Sequence, residues 1–132
     1  MTATELVHAY YAAFDAGDMP GLLALLNENV IHDINQGERQ MGKRAFAAFM
    51  DKTSHCYRER LEDLVVMQNT EGNRAAAEFT VHGQYLEGAE GLPAAKGQTY
   101  VLAAGTFFYL HCGKIARVSH YRNLNDWLEQ VS

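Results

Sequence analysis

The feature that most constrains the fold is a change of hydrophobic period near residue 57. Before this point apolar residues recur at helical spacing, and after it they alternate with polar residues along four long segments. Residues 74–86 show the alternation most clearly: one parity carries Ala75, Ala77, Phe79, Val81 and Tyr85, and the other carries Glu78, Thr80, His82 and Gln84. A period of two predicts a half-buried antiparallel strand, with the second row on its open face.

The periods predict an ordered set of elements along the chain. Helices are expected at residues 4–14, 19–26 and 43–54, and strands at 30–34, 57–67, 74–86, 98–111 and 114–123, with a short helical or irregular tail at 124–131. Residues 27–29 are predicted as a turn and residues 36–41 as a loop. Helices that are segregated from a run of antiparallel strands predict an α+β fold. The amphipathic helices cover one face of the sheet, and a sheet that curls around them leaves a cavity.

Helix ends are predicted from capping residues. Thr4 is expected to cap the first helix, and Gly17 to end it in a left-handed conformation. Asp18 is expected to cap the second helix, which has Pro20 in its first turn.

Residues 30–37, Val-Ile-His-Asp-Ile-Asn-Gln-Gly, predict a short buried strand that carries a carboxylate. Burial disfavours the charged form of a carboxylate, so the pKa of Asp33 is expected to be raised, and a raised pKa makes an acid a useful base near neutral pH. The alternative is that Asp33 caps the turn at the end of the strand. Alternation places His32 on the opposite side from Asp33, in a structural or interfacial role.

Composition excludes several classes of function. The chain has 132 residues with a net charge of −5 and no basic cluster, so it is expected to be one domain, residues 1–132, that binds neither nucleic acid nor an anionic membrane. Because it shows neither an apolar run of about 18 residues nor a secretory signal, a cytoplasmic location is expected. The two cysteines and the histidines lack metal-ligand spacing, so neither a metal nor an organic cofactor is expected.

Several segments together resemble the nuclear transport factor 2-like superfamily, in its SnoaL-like and ketosteroid-isomerase-related branch. They are Phe-Asp-Ala-Gly-Asp at 14–18, the Leu-rich second helix, Asn-Val-Ile-His-Asp at 29–33, residues 42–49, and Gly-Lys-Ile-Ala-Arg-Val at 113–118. The resemblance spans nearly the whole chain. It implies a cystatin-like α+β cone, in which a curved antiparallel sheet packs on three N-terminal helices and encloses a pocket. It also implies a homodimer.

The resemblance assigns roles to individual residues. Asp33 resembles the base that moves a proton beside an enolised carbonyl, and Tyr10 resembles the tyrosine that stabilises the oxyanion. Thr106 stands where such isomerases carry a second, protonated acid, and its hydroxyl is a weaker donor. The side of the last strand that carries Val118, His120 and Arg122 is expected to face the cavity. His120 would share the pocket with Asp33, and Arg122 would hold an anionic or carbonyl group.

Two functions follow from these expectations. The first is a small isomerase, dehydratase or cyclase that acts by proton transfer on an apolar or aromatic carbonyl compound, with Tyr57, Phe79 and Phe108 in the pocket wall. The alternative is a non-catalytic module of the same fold that binds a small ligand or forms a dimer. The sequence shows no Asp-Arg-Asp relay of the kind that water activation for epoxide opening would require.

Overall fold

The computed structural model describes residues 1–35 and 37–132. In chain order its elements are α1 (Ala3–Ala16), α2 (Met19–Ala24), β1 (Leu26–Ile34), β2 (Arg39–Met41), α3 (Lys43–Cys56), β3 (Tyr57–Gln68), β4 (Arg74–Tyr85), β5 (Thr99–His111), β6 (Lys114–Arg122) and α4 (Leu124–Val131). The change of period at residue 57 therefore marks the junction between α3 and the long strands.

The strands form one curved, unclosed sheet in the order β2-β1-β6-β5-β4-β3. From β3 to β6 each strand pairs antiparallel with the next one along the chain, as the alternation predicts. The α+β fold is confirmed. The expectation of a wholly antiparallel sheet is wrong at one place, because β1 pairs parallel to β6 and makes the sheet mixed. This pairing brings a strand from the helical half of the chain beside the last strand.

The core lies between the helices and the inner face of the sheet. The predicted apolar parity of β4 is buried, and α1 buries Leu6, Val7 and its two adjacent tyrosines against the same face. Each large apolar side chain buried in this way contributes about 1.5–3 kcal/mol, so the shared inward parity holds the layers together. Trp127 anchors α4 by packing against the rings of Tyr85 and Tyr57.

The first helix begins earlier than predicted, and its cap is Thr2 rather than Thr4. The Thr2 hydroxyl accepts a hydrogen bond from the Glu5 amide at 3.1 Å, and the Glu5 carboxylate accepts one from the Thr2 amide at 2.8 Å. This reciprocal pair is a capping box, and it satisfies two amides that Thr4 would have left open. The other predicted caps are confirmed: Gly17 has a φ of 68°, and Asp18 accepts from the Gly21 amide.

Two predictions near β1 are wrong. Residues 27–29, predicted as a turn, lie inside β1, and residues 39–41, predicted as part of a loop, form β2. β1 pairs with β6 at Leu26 and again from Ile31 onward, and the residues between them lie in an irregularity of the ladder, so the strand continues through the predicted turn. The pairing of residues 39–41 with residues 31–33 forms β2. The loop prediction for Gln36 lies outside the described residues.

Candidate functional site

A cavity of about 830 Å³ lies between the inner face of the sheet and α1, α3 and α4. Most of its wall is apolar or aromatic: Tyr10, Tyr11, Phe14, Ile34, Ala45, Ala48, Phe49, Met50, Tyr57, Leu61, Phe79, Leu92, Val118, Leu124 and Trp127. The polar groups on the wall include His32, Thr106, His120, Arg122 and Glu59. A large apolar cavity with a few convergent polar groups is the usual form of a small-molecule site.

Asp33 lies on the other face of the sheet. Its two carboxylate oxygens accept from the Arg39 guanidinium at 2.6 and 3.1 Å, and one of them also accepts from the Ser119 hydroxyl at 2.7 Å. The Arg39 hydrogen bond, helped by Ser119 and the nearby positive charges, lowers the pKa of Asp33 despite the opposing effect of burial. The expectation of a pocket carboxylate with a raised pKa is therefore wrong. With its side chain 21% exposed, Asp33 keeps its charge among cationic and hydroxyl partners.

His32 takes the inward position instead. Alternation does place it opposite Asp33, as predicted, but its side is the cavity side. The ring is only 5% exposed and packs on Phe46 and Phe49, with centroid distances of 4.6 and 4.9 Å. Burial lowers the pKa of His32 to about 4, so the imidazole is neutral at physiological pH. Among the described residues, its Nδ1 has no hydrogen-bond partner.

A chain of hydrogen bonds crosses the cavity wall from α1 to β6. The Tyr11 hydroxyl lies 2.9 Å from the Thr106 hydroxyl, and that hydroxyl lies 3.1 Å from Nδ1 of His120. Burial raises the pKa of Tyr11, so it stays protonated and remains a donor. Tyr10 also lines the cavity, but its ring packs edge-on against Tyr11 and Phe108. The resemblance indicated Tyr10, but the tyrosine that hydrogen-bonds to Thr106 is Tyr11.

The chain of hydrogen bonds continues beyond His120 to a partly buried ion pair. Nε of Arg122 donates to Nε2 of His120 at 2.9 Å, and both terminal nitrogens of Arg122 donate to the Glu59 carboxylate, at 2.7 and 3.1 Å. The Tyr100 hydroxyl also donates to Glu59. Burial alone would raise the pKa of Glu59, but the hydrogen bonds and charge of Arg122 bring it below its ordinary value. Burial, with the charge of Arg122, lowers the pKa of His120 to about 3.

The other predicted site residues divide into two groups. Val118, His120 and Arg122 face the cavity, as the parity of β6 predicts, and Phe79 and Tyr57 also line it. Phe108 is 1% exposed and packs behind Tyr10 and Tyr11, so it supports the wall rather than lining it.

The cavity residues that sequence reasoning missed include His32, Tyr11 and Glu59. A signal was present for Glu59, because it shares the parity of Tyr57 and Leu61, and an acid on an apolar parity indicates a buried partner. In the described part of the chain, no three His, Cys, Asp or Glu side chains come together in a way that would hold a metal ion.

The family follows from the match of a domain model to most of the chain. The model describes the SnoaL-like domain, and it matches residues 7–118. The chain belongs to the SnoaL-like family. The match confirms the SnoaL-like part of the resemblance that its segments suggested. Among curated proteins, none matches the chain.

Several solved structures are similar to the chain. A candidate polyketide cyclase from Pseudomonas putida KT2440 is 77% identical, with a TM-score of 0.97, over 100% of this chain and 99% of that one. A second, from Xanthomonas campestris pv. campestris, is 53% identical over 98% and 96% of the two chains, with a TM-score of 0.95. An NTF2-like protein from Burkholderia xenovorans LB400 shares the fold alone, at 17% identity and a TM-score of 0.80 over 100% and 98% of the chains.

Among residues 1–35 and 37–132, no helix combines the length and the apolar character needed to cross a membrane.

Proposed function

We propose that this SnoaL-like protein is a small enzyme that transfers a proton beside a carbonyl group of an apolar or aromatic small molecule. The observation that carries the proposal is the hydrogen-bonded group of Tyr11, Thr106 and His120 on the wall of an apolar cavity. Such fixed donors stabilise negative charge on an oxygen more strongly inside a dry cavity than in water. The similarity to candidate polyketide cyclases supports cyclisation, with isomerisation and dehydration as related outcomes.

The reaction begins with loss of a proton from the carbon next to the carbonyl. The electron pair of the C–H bond forms the enolate, and its oxygen accepts a hydrogen bond from the Tyr11–Thr106 pair. In a cyclisation, the enolate carbon then bonds to a second carbonyl carbon of the same molecule, whose oxygen takes up the proton. Atoms balance without any other reactant, so the site has to hold the molecule, stabilise the oxygen and carry one proton.

His32 is the group that we propose accepts the proton. His120 has both ring nitrogens in hydrogen bonds, and the Glu59 carboxylate is held by Arg122 and Tyr100. The His32 ring lines the cavity and is neutral, so one of its ring nitrogens carries a free lone pair. A neutral imidazole can accept a proton at pH 7, and a pKa of about 4 gives His32 about the basicity of an ordinary carboxylate. The resemblance gave the role of base to Asp33, but a base has to lie on the cavity side of β1, and Asp33 lies on the other side.

The experiment compares two adjacent tyrosines. Wild-type protein, Tyr11→Phe and Tyr10→Phe are assayed against a panel of enolisable aromatic ketones, lactones and 1,3-diketones. Removing one oxyanion donor costs about 10²–10³ in kcat. We expect a loss of this size for Tyr11→Phe and a much smaller loss for Tyr10→Phe, with both variants folded by circular dichroism. Equal losses would contradict the donor assignment, and a wild type that turns over no member of the panel would contradict the enzyme.

We also propose that two copies of the chain pair through the outer face of the sheet. Val65, Met67, Val101 and Phe107 are each about half exposed there, and the register places Met67 and Phe107 in one row with Ala76 and Ser119. In the described residues, Nε of Arg117 is buried without a hydrogen-bond partner on the same strand as Ser119. The same face carries charges of both signs, on Asp33 and Arg39. A surface with apolar side chains and both charges can pair with the same surface of a second copy across a two-fold axis.

A further inference from the structure

We infer that Arg122 and Glu59 set the direction of the whole hydrogen-bond chain, and thereby leave one hydroxyl hydrogen of the Tyr11–Thr106 pair for a hydrogen-bond acceptor in the cavity. Arg122 and Glu59 are positioning residues in this scheme, because they act through His120. The inference deepens the proposed function. It rests on that function only where it identifies the acceptor as the carbonyl or enolate oxygen of the substrate.

The direction begins at Arg122. A guanidinium is charged at any physiological pH and has donors but no acceptor. Its Nε lies 2.9 Å from Nε2 of His120, so the hydrogen in this bond belongs to Arg122 and Nε2 of His120 carries the lone pair. This contact decides the tautomer of the imidazole, because a neutral ring holds its hydrogen on the other nitrogen.

The direction passes next to Thr106. His120 is neutral because it is buried beside the charge of Arg122, so its one ring hydrogen is on Nδ1. Nδ1 lies 3.1 Å from the Thr106 hydroxyl oxygen, which therefore accepts this hydrogen. The ring is also held in orientation by Phe79, whose plane lies at 29° to it with centroids 6.2 Å apart.

A count of hydrogens gives the result. The four groups from Arg122 Nε to the Tyr11 hydroxyl bring four hydrogens, one each, and three contacts join them. Each contact uses one hydrogen, so one hydroxyl hydrogen remains, on Tyr11 or on Thr106. Both residues line the cavity, and the remaining hydrogen is available to a ligand.

Glu59 keeps Arg122 in place. The Glu59 carboxylate is 11% exposed and accepts from both terminal nitrogens of Arg122, which fixes the plane of the guanidinium and turns Nε toward His120. It also compensates a charge that would otherwise be buried alone. The Tyr100 hydroxyl holds Glu59 from the side of β5.

The ligand class follows from the direction of the chain. A site that offers a spare donor favours a group that only accepts, such as a ketone oxygen, an enolate or a phenolate. A group that only donates, such as an ammonium, would leave the spare hydrogen unpaired in the cavity, and an unpaired buried donor is unfavourable.

The test is the tautomer of His120, measured by two-bond ¹H–¹⁵N correlation on protein labelled with ¹⁵N-histidine. The His120 signals are identified by their absence in His120→Gln. We expect a protonated Nδ1 and an unprotonated Nε2 from about pH 5 to about pH 8, whereas free histidine favours the Nε2–H form. A protonated Nε2 in the wild type would overturn the inference.

Variants show whether Arg122 is the cause. Arg122→Met is expected to return His120 to the Nε2–H form or to make it titrate, while Arg60→Met, which removes an exposed arginine paired with Glu62, is expected to leave the pattern unchanged. An unchanged tautomer in a folded Arg122→Met would contradict the role of Arg122. If Arg122→Met does not fold, the tautomer of His120 is measured in Glu59→Gln instead. The tautomer in the wild type tests the inference independently of either variant. The measurement needs no substrate, so the tautomer can be confirmed even if no ketone is turned over, and refuted even if one is.

Discussion

At the junction of β1 and β6 the two faces of the sheet carry opposite chemistry, although neighbouring residues of the same strands supply both. On the inner face, His32 is buried and His120 is half-buried, and both are neutral and on the wall of an apolar cavity. On the outer face, Asp33 is partly exposed and charged, and it is held by Ser119 and Arg39. A shift of one residue exchanges the two sets, because side chains alternate along a strand.

The difference shows which residues each face can hold. Imidazole becomes neutral at modest cost when it is buried, whereas a carboxylate without a cationic partner is expensive to bury. Glu59 supports this rule, because it is an acid of low exposure on the cavity wall and it is paired with Arg122. The face of Asp33 is therefore set by its partners Arg39 and Ser119 as much as by the apolar residues around it.

The largest expected effect concerns packing on the two faces. Phe46, which is fully buried under His32, is compared with Phe107, which is half exposed on the outer face. Phe46→Ala is expected to lower the free energy of unfolding by about 3–5 kcal/mol through the cavity that it creates, and Phe107→Ala by less than about 1 kcal/mol. Urea denaturation measures both. Equal losses would mean that the outer face is packed as tightly as the core.

The second effect is the dependence of stability on pH. The pKa values of His32 and His120 are lowered in the folded state from 6.5 to about 4 and about 3, so only the unfolded chain takes up their protons as the pH falls below 6.5. Stability is expected to fall with a slope of up to about 1.4 kcal/mol per pH unit for each histidine.

Asp33 acts in the same direction but over a lower pH range. Its pKa is lowered from 3.8, so its contribution is present above that pH and is lost only as the pH falls through the folded value. His32→Gln should therefore flatten the stability profile between pH 6.5 and about 4, and Asp33→Asn should leave the slope there unchanged. If Asp33→Asn flattened the profile in this range and His32→Gln did not, the buried titrating group would be on the outer face, contrary to the prediction.

The smallest effect is on self-association. Phe107→Glu introduces a charge into the outer apolar row, and it is expected to convert a dimer into a monomer with little change in the unfolding of the single chain. Sedimentation velocity at micromolar concentration distinguishes the two states. A wild type that sediments as a monomer would contradict the proposed pairing and leave the cavity site untouched.

Long strands allowed most of the fold to be predicted from the sequence. The β4 alternation runs over twelve residues, and the β6 parity correctly turned Val118, His120 and Arg122 toward the cavity. The parallel pairing of β1 with β6 could not be predicted, because nothing local in residues 26–34 encodes a partner nearly ninety residues away, such as Ser119 for Asp33.

The site was harder to predict because its phase depends on distant partners. In β1 the apolar residues Val30, Ile31 and Ile34 fall on both parities, so the pattern does not decide whether His32 or Asp33 points inward. The partner that decides it, Arg39, lies in a three-residue strand too short to show alternation. Tyr10 and Tyr11 likewise share one broad apolar face of α1, and the contact with Thr106 distinguishes them only in the folded chain.

The central claim is that the chemistry belongs to the inner face of β1, and adjacent residues test it most directly. The measurement is kcat/KM for His32→Gln and Asp33→Asn beside the wild type, on the best member of the carbonyl panel. Loss of a general base lowers the rate by about 10²–10⁴. We predict such a loss for His32→Gln and a change of less than about threefold for Asp33→Asn. A large loss for Asp33→Asn with an active His32→Gln would contradict the account.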